Sequence, residues 1–212
     1  MENSKKHVPV YVNYKSKTVE NFTLTSQQRP YAFTALSLLV ELIRPSQILE
    51  IGTGGGGTIM CIREHLNSVG LESTEIMSFE VKERDSYTKM RESNINILIE
   101  NLFSNTYREL DKPDIVKNFI QKEGTTLVLC DGGSKINEFN LLSDFLKMGD
   151  FIMAHDYIDT RENFLQNYQN QIWNWREIGD EHINSPCERN GLTPFLKEVF
   201  DPAVWACRKK TK

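Results

Sequence analysis

The sequence predicts an α/β fold: a doubly wound, mostly parallel sheet with helices on both faces and a late antiparallel strand. Three observations carry this. Short apolar runs alternate along most of the chain with longer segments of helical period. The run over residues 125–130 is almost wholly apolar, as a strand covered on both faces should be. A run of glycines follows directly on the first strand-like segment, where the chain turns back into a helix.

The elements follow in order. From Pro30 onward, Ala32, Phe33, Ala35, Leu36, Leu39, Val40 and Ile43 recur at spacings of three and four, the stripe of an amphipathic helix. Thr25 or Ser26 is its expected N-cap and Arg44-Pro45 its stop. Residues 47–51 form a short strand, followed by the glycine run and a helix over 58–67. The alternation continues with a strand over 75–81, a polar helix over 82–93 and a strand over 95–99. A helix over 113–121, the strand over 125–130 and a helix over 135–147 come next. A strand over 150–154, a helix over 162–175 and a last strand over 203–207 complete the pattern. In such sheets ligands sit at the carboxyl ends of the strands.

The 212 residues suit one domain, with residues 1–24 as an N-terminal arm and 25–212 as the domain itself. With 39% hydrophobic and 25% charged residues, the chain is globular rather than disordered. A net charge of −4 offers no basic field, so no nucleic acid is expected as a partner. No membrane is expected either, because the apolar run over 31–40 is short and broken by Thr34 and Ser37. The first six residues have no apolar segment behind them, so no secretory signal is expected. Cys61, Cys130 and Cys207 sit in apolar segments, and with Cys187 they are too dispersed for a zinc ribbon or redox pair. They read as small buried hydrophobes in a reduced, cytoplasmic setting. The basic end, residues 208–212, reads as solvated, and His65 as a surface residue.

The glycine loop holds two overlapping patterns. Gly52, Gly54 and Gly57 satisfy G-x-G-x-x-G, the fingerprint of dinucleotide binders. Glu50, Gly52, Gly54 and Gly56 satisfy E-x-G-x-G-x-G. A pyrophosphate at this turn gains nothing from a carboxylate two residues before it, whereas a ligand carrying a cation does. The second pattern resembles the class I S-adenosylmethionine-dependent methyltransferases, whose fold is Rossmann-like, and the resemblance implies S-adenosyl-L-methionine as cofactor. Glu80, at the end of the next strand, can accept both hydroxyls of a ribose under either reading. In the resemblance Asn101 and Leu102, or Phe103, flank the adenine, and Asp131 also belongs to the cofactor site.

Asp131 ends the strand over 125–130, and His155 and Asp156 follow the strand over 150–154. Neighbouring strands would bring the three to one rim, a donor set for Mg²⁺ or Mn²⁺. A metal there would lower the pKa of a substrate hydroxyl. The arrangement is similar to the metal-dependent O-methyltransferases, and within them to the macrocin-type and cephalosporin-hydroxylase-like group. Asp131 matches that group's first acid, and Asp156 with Tyr157 its second motif, while His155 replaces the usual first acid of the pair. His155 is therefore a ligand, favouring a softer metal, or a base at a site without one. Lys135 is a further catalytic candidate, since catechol-type relatives use a lysine one position away as base. The resemblance covers residues 25–157; 158–202 is expected to be the variable, substrate-side region, where Trp173 and Trp175 are candidates to wall the acceptor pocket or to belong to the core.

The sequence thus implies O-methylation of a small hydroxylated acceptor, a sugar or metabolite. The expected partner is a small-molecule substrate, and a homo-oligomer stays open. An NAD(P)-dependent oxidoreductase is the rival on Gly52, Gly54 and Gly57. A non-catalytic nucleoside-binding module is a second.

Overall fold

The computed structural model describes residues 12–14, 24–104, 106–169 and 176–212. Strands β1 (Val12–Tyr14) and β2 (Leu24–Ser26) pair antiparallel as a small separate sheet. The main sheet has seven strands: β3 (Gln47–Ile51), β4 (Glu75–Glu80), β5 (Ile95–Ile99), β6 (Thr126–Cys130), β7 (Phe151–Ala154), β8 (Leu192–Pro194) and β9 (Ala206–Lys210). Their order is β5-β4-β3-β6-β7-β9-β8, with β9 antiparallel to both its neighbours. The chain winds outward from β3 to β5, then returns to place β6 on the other side of β3. That reversal puts the switch point between β3 and β6, where α/β sheets open a crevice.

The helices are α1 (Pro30–Ile43), α2 (Gly57–Ser68), α3 (Ser86–Glu92), α4 (Pro113–Ile120), α5 (Lys135–Leu142), α6 (Arg161–Asn163), α7 (Asp180–Asn190) and α8 (Lys197–Phe200). Successive side chains of a strand point to opposite faces, so each strand feeds two cores. Ile48, Ile76, Leu127, Leu129 and Met153 pack with α1, α2 and α3 on one face. Leu49, Phe79, Val128, Cys130 and Ile152 pack with α4, α5 and α7 on the other. β3, β6 and β7 are buried along their whole length, and β6 and β7 are accordingly almost wholly apolar, while β3 also buries Gln47 and Glu50.

Several elements differ from the sequence expectation, each for a local reason. Thr25 and Ser26 do not cap α1: they belong to β2, where Thr25 bridges Gly56 and the Ser26 hydroxyl meets that of Thr58 at 2.7 Å. The helix starts instead on Pro30, whose fixed φ suits the first helical position. The polar helix expected over 82–93 is shorter, α3 alone. The helix expected to run to residue 147 ends at Leu142 in a 3₁₀ turn, Ser143–Phe145. The one expected over 162–175 is α6 running into a π-helical stretch, Phe164–Tyr168, and residues 170–175, with Trp173 and Trp175, lie outside the described residues.

Helix α7 was not expected, because its sequence is polar and holds Pro186. A proline inside a helix leaves the carbonyl four residues earlier without its donor. Here that carbonyl is His182, and it accepts a hydrogen bond from Asn140 Nδ2 of α5 at 3.3 Å. His65 is not a free surface residue either, since its Nε2 lies 2.9 Å from Glu41. All four cysteines are free thiols; Cys130 and Cys207 are buried, while Cys61 and Cys187 are partly exposed. Among the described residues no helix is long and apolar enough to cross a membrane.

The basic end of the chain is solvated only in part: Lys209 and Lys210 are partly exposed and Thr211 and Lys212 are exposed, but Arg208 is not. Arg208 is buried in β9, 3.2 Å from Asp180 and 3.3 Å from the Tyr157 hydroxyl. The strand joins β8 to β7, so deleting residues 208–212 removes sheet pairing on both sides. Such a truncated chain should lose its cooperative thermal transition by circular dichroism. A melting temperature equal to that of the full chain would show the segment to be dispensable.

Candidate active site

The carboxyl ends of β3 and β6 stand level, with Ile51 paired to Cys130, and the loops that leave them touch backbone to backbone. Gly52 has φ +90°, and a Cβ on it would lie 2.4 Å from the Asp131 carbonyl oxygen. Only glycine satisfies both demands. Gly54, at φ +54°, is different: a Cβ there would meet nothing within 4 Å. Its N–H donates to Glu80 Oε2 at 2.8 Å, and its carbonyl accepts from the Tyr87 hydroxyl at 2.5 Å. The loop is thus clamped on both sides while its Cα faces open space.

That space is two cavities. One, of about 300 Å³, is lined by Gly52, Gly54, Glu80, Asn101, Leu102 and Asp131, among others. Phe79, Phe103 and Tyr107 give it apolar walls, the last two stacked with ring centroids 5.8 Å apart. The second, of about 380 Å³, is polar and lined by Thr25, Ser26, Thr53, Arg84, Lys135, His155 and Asp156. Gly52, Gly54, Asp131 and Gly132 form walls of both. Six of the residues expected around a nucleoside therefore meet in one cavity, and the expected catalytic residues meet in the other.

Glu50 and Gly56 stand elsewhere. Gly56 is buried behind the loop against Met90 and Thr25. Glu50 is 1% exposed, its Oε2 accepting from the Ser78 hydroxyl at 2.5 Å, and Ser78 in turn meets Thr53 Oγ1 at 2.6 Å. Burial pushes its pKa up to about 8, with the Asp131 and Glu80 charges adding to the rise and the Ser78 hydrogen bond opposing it. Glu50 is thus a buried carboxyl whose neutral form is favoured at pH 7. It contacts the loop through Ser78 and Thr53.

Around the polar cavity, His155 Nδ1 lies 2.9 Å from Asp131 Oδ1 and 3.7 Å from Asp156 Oδ1. Asp131 Oδ2 accepts from Gln28 Nε2 at 3.0 Å. Trp205 Nε1 donates to Gln28 Oε1 at 2.8 Å, and the indole lies beside the His155 ring with centroids 4.9 Å apart. Burial opposes the charged form of His155, but the Asp131 and Asp156 carboxylates outweigh it and raise its pKa.

Lys135 Nζ meets the Gly132 carbonyl at 3.0 Å, Glu177 Oε2 at 3.0 Å and Asp156 Oδ2 at 3.2 Å. Burial pulls its pKa down, but Asp131, Asp156 and Glu177 reverse that and raise it. A lysine held this firmly in its charged form is not the base that the resemblance to catechol-type enzymes suggested.

The expected metal set does not fit either. Asp131, His155 and Asp156 do converge, but among the described residues no group of three or more His, Cys, Asp or Glu is arranged to hold an ion. Hard cations need donors at roughly 2.0–2.6 Å from one point. Here Asp131 is turned to His155 and Gln28, and Asp156 to an ammonium.

Four participants escaped the sequence reading: Gln28, Glu138, Glu177 and Trp205. Glu138 lies on the same face of α5 as Lys135. It accepts from the backbone N–H groups of Gly132 and Ser134 at 3.1 and 2.9 Å, fixing the loop after β6. Burial raises its pKa to about 7, against those two hydrogen bonds and Lys135. Its spacing of three from Lys135 was the one available signal. Gln28, Glu177 and Trp205 come from segments with no periodic pattern.

Two predictions follow from this geometry. Gly52→Ala should destabilise the fold by well over about 1 kcal/mol through both strain and collision, whereas Gly54→Ala, strained by its positive φ but free of collision, should cost only about 1 kcal/mol and obstruct the cavity; urea midpoints and ligand titrations of the pair check this. Glu50 has a folded-state pKa of about 8 against an ordinary 4.5, so the native state holds the proton more tightly than the unfolded chain. Its burial therefore costs stability increasingly as pH rises between those values. Glu50→Gln should be more stable than wild type above pH 8, with the gain vanishing near pH 4.5. A pH-independent difference between the two would contradict the neutral buried acid.

No protein-family model and no curated protein matches the sequence. Solved structures do match. An apo structure of CmcI superposes with a TM-score of 0.58 at 13% identity, over 94% of this chain and 76% of that one. CmcI with magnesium and S-adenosylmethionine gives 0.54 at 15% identity, over 95% and 81%. The O-methyltransferase TomG from Streptomyces achromogenes, involved in tomaymycin synthesis and solved with S-adenosylmethionine, gives 0.50 at 12% identity, over 95% and 92%. The chain has the fold of these O-methyltransferases, a Rossmann-like sheet with one antiparallel strand.

Proposed function

We propose that this protein is an S-adenosylmethionine-dependent methyltransferase that methylates an oxygen of a small hydroxylated acceptor. The observation that carries the proposal is the meeting of two unlike cavities at Gly52, Gly54, Asp131 and Gly132. The apolar one suits an adenosine: Leu102, Phe103 and Tyr107 offer faces for the base, and Glu80 offers a carboxylate for the ribose. The polar one suits an acceptor rich in hydroxyls. The fold shared with the O-methyltransferases named above agrees with this division.

When bound, the cofactor supplies a methyl group on a sulfonium, which leaves sulfur as the new O–CH₃ bond forms. The chain's contribution is chiefly placement and a proton acceptor. Asp131, with 18% of its side chain exposed, is the acid common to both cavities. It can receive the acceptor's hydroxyl proton, while His155 beneath it shares a hydrogen bond and Gln28 fixes its second oxygen. Lys135 has its ammonium engaged with protein acceptors, and so acts by holding the carboxylates in place.

Calorimetry with S-adenosylhomocysteine and with NADH tests the reading. The first should bind with micromolar affinity, roughly −8 kcal/mol, and added Mg²⁺ should leave that affinity unchanged. Binding of NADH with no response to S-adenosylhomocysteine would refute it in favour of a dinucleotide enzyme.

A further inference from the structure

We infer that Lys135 is the resident cation of this site: its ammonium stands among the carboxylates where related chemistry would place a divalent metal, and the native protein therefore takes up no divalent ion there. The inference deepens the methyltransferase proposal and rests on it for one consequence only, that the acceptor is activated without a metal.

The contacts of Lys135 support this. An ammonium has three N–H donors and no acceptor. In this site Nζ donates to Gly132 O and Glu177 Oε2, both at 3.0 Å, and forms an ion pair with Asp156 Oδ2 at 3.2 Å. The side chain is 8% exposed, and the backbone N–H of Lys135 donates to the other oxygen of Glu177 at 2.8 Å. Glu177 thus grips the residue at both ends, and the ammonium is fixed rather than swinging in solvent.

Three separate pieces of chain converge on it. Lys135 opens α5 immediately after the Asp131–Gly132 loop, Asp156 follows β7, and Glu177 precedes α7. Asp156 adopts φ +57°, a left-handed conformation that Asp tolerates better than most residues, and in it the carboxylate meets both Lys135 and His155. Asp131, Asp156 and Glu177, gathered in a largely buried site, need a counter-charge. Lys135 supplies it from within the chain, and a divalent ion at the same point would face a fixed positive charge and oxygens already engaged.

Removing the ammonium should therefore create the metal site that the native chain lacks. The purified full chain is titrated with Mn²⁺ and the free-ion signal followed by electron paramagnetic resonance. Wild type and Lys135→Arg should leave the ion free at millimolar concentration. Lys135→Ala, shown to be folded by circular dichroism, should bind one Mn²⁺ per chain at least about tenfold more tightly. Adding Asp156→Asn to it should abolish the gain. If Lys135→Ala does not fold, Lys135→Met takes its place, keeping most of the stem's length without the charge, with the same gain expected. Mn²⁺ binding by wild type that Asp156→Asn weakens would overturn the inference, as would a folded charge-free variant with no gain. Titration of the same wild-type sample with S-adenosylhomocysteine reports separately on the methyltransferase proposal. A failure there with the Mn²⁺ pattern intact would sink the proposal and leave the cation assignment standing.

Discussion

The site depends on one continuation of the parallel sheet: the hydrogen-bond ladder runs one residue past the end of each central strand. Gly52 N–H donates to the Phe79 carbonyl at 2.9 Å, Asp131 N–H to Ile51 at 3.0 Å, His155 N–H to Cys130 at 3.0 Å and Glu100 N–H to Glu80 at 2.9 Å. Each donor is the first residue beyond its strand. The backbone of the first loop residue is thus positioned as firmly as a strand residue, although its side chain already belongs to the rim. This is how a sheet of apolar strands presents acids and an imidazole with fixed spacing, and why Gly52 must be a glycine: the loops it separates are pinned at contact distance.

Fixed spacing makes the electrostatics of the rim a property of the fold. Glu50, Asp131, Glu138, Asp156 and Glu177 gather there against Lys135 and His155. The structure distributes that charge unevenly. Burial raises the pKa of Glu50 and of Glu138 and so favours their neutral forms, while the surrounding carboxylates raise those of Lys135 and His155 and favour their charged forms beside Asp131 and Asp156. A carboxylate costs least where it can share a proton or an ammonium. The carboxyl in the E-x-G-x-G-x-G pattern is a buried group beneath the loop, hydrogen-bonded to Ser78. A positive charge arriving nearby would favour its ionisation, so its buried position does not oppose the original reason for expecting it near a cationic ligand.

The parts of this arrangement that the sequence made legible are those governed by local pattern. The five parallel strands could be placed to within a residue because residues buried on both faces must be apolar, and their ends fall where polar residues resume. Gly52, Gly54, Glu80, Asn101, Leu102 and Asp131 could be named because each follows such an end. What stayed hidden is what tertiary contact decides. Helix α7 is polar with an internal proline, and only Asn140 on another helix makes it tolerable. Lys135 was read as a base because its charge partners Asp156 and Glu177 lie 21 and 42 residues away. The basic look of the chain's end concealed that Arg208 is a buried partner of Tyr157 and Asp180.

The floor of the site shows the same limit in its strongest form. Trp205 donates to Gln28 across 177 residues of sequence, Gln28 donates to Asp131, and Asp131 meets His155, whose ring lies beside Trp205 again. The circuit closes with every polar link made, which is what a buried network requires if it is to rigidify rather than destabilise. Gln28 carries both a donor and an acceptor on one planar amide, so it joins an indole N–H to a carboxylate without a proton changing place. The circuit also accounts for the last strand's place in the sheet. With β9 beside β7, Trp205 lies under His155, and the segment leading into α1 closes over both. A resemblance confined to residues 25–157 can name Asp131 and His155, but the indole that supports them comes from a strand far beyond it.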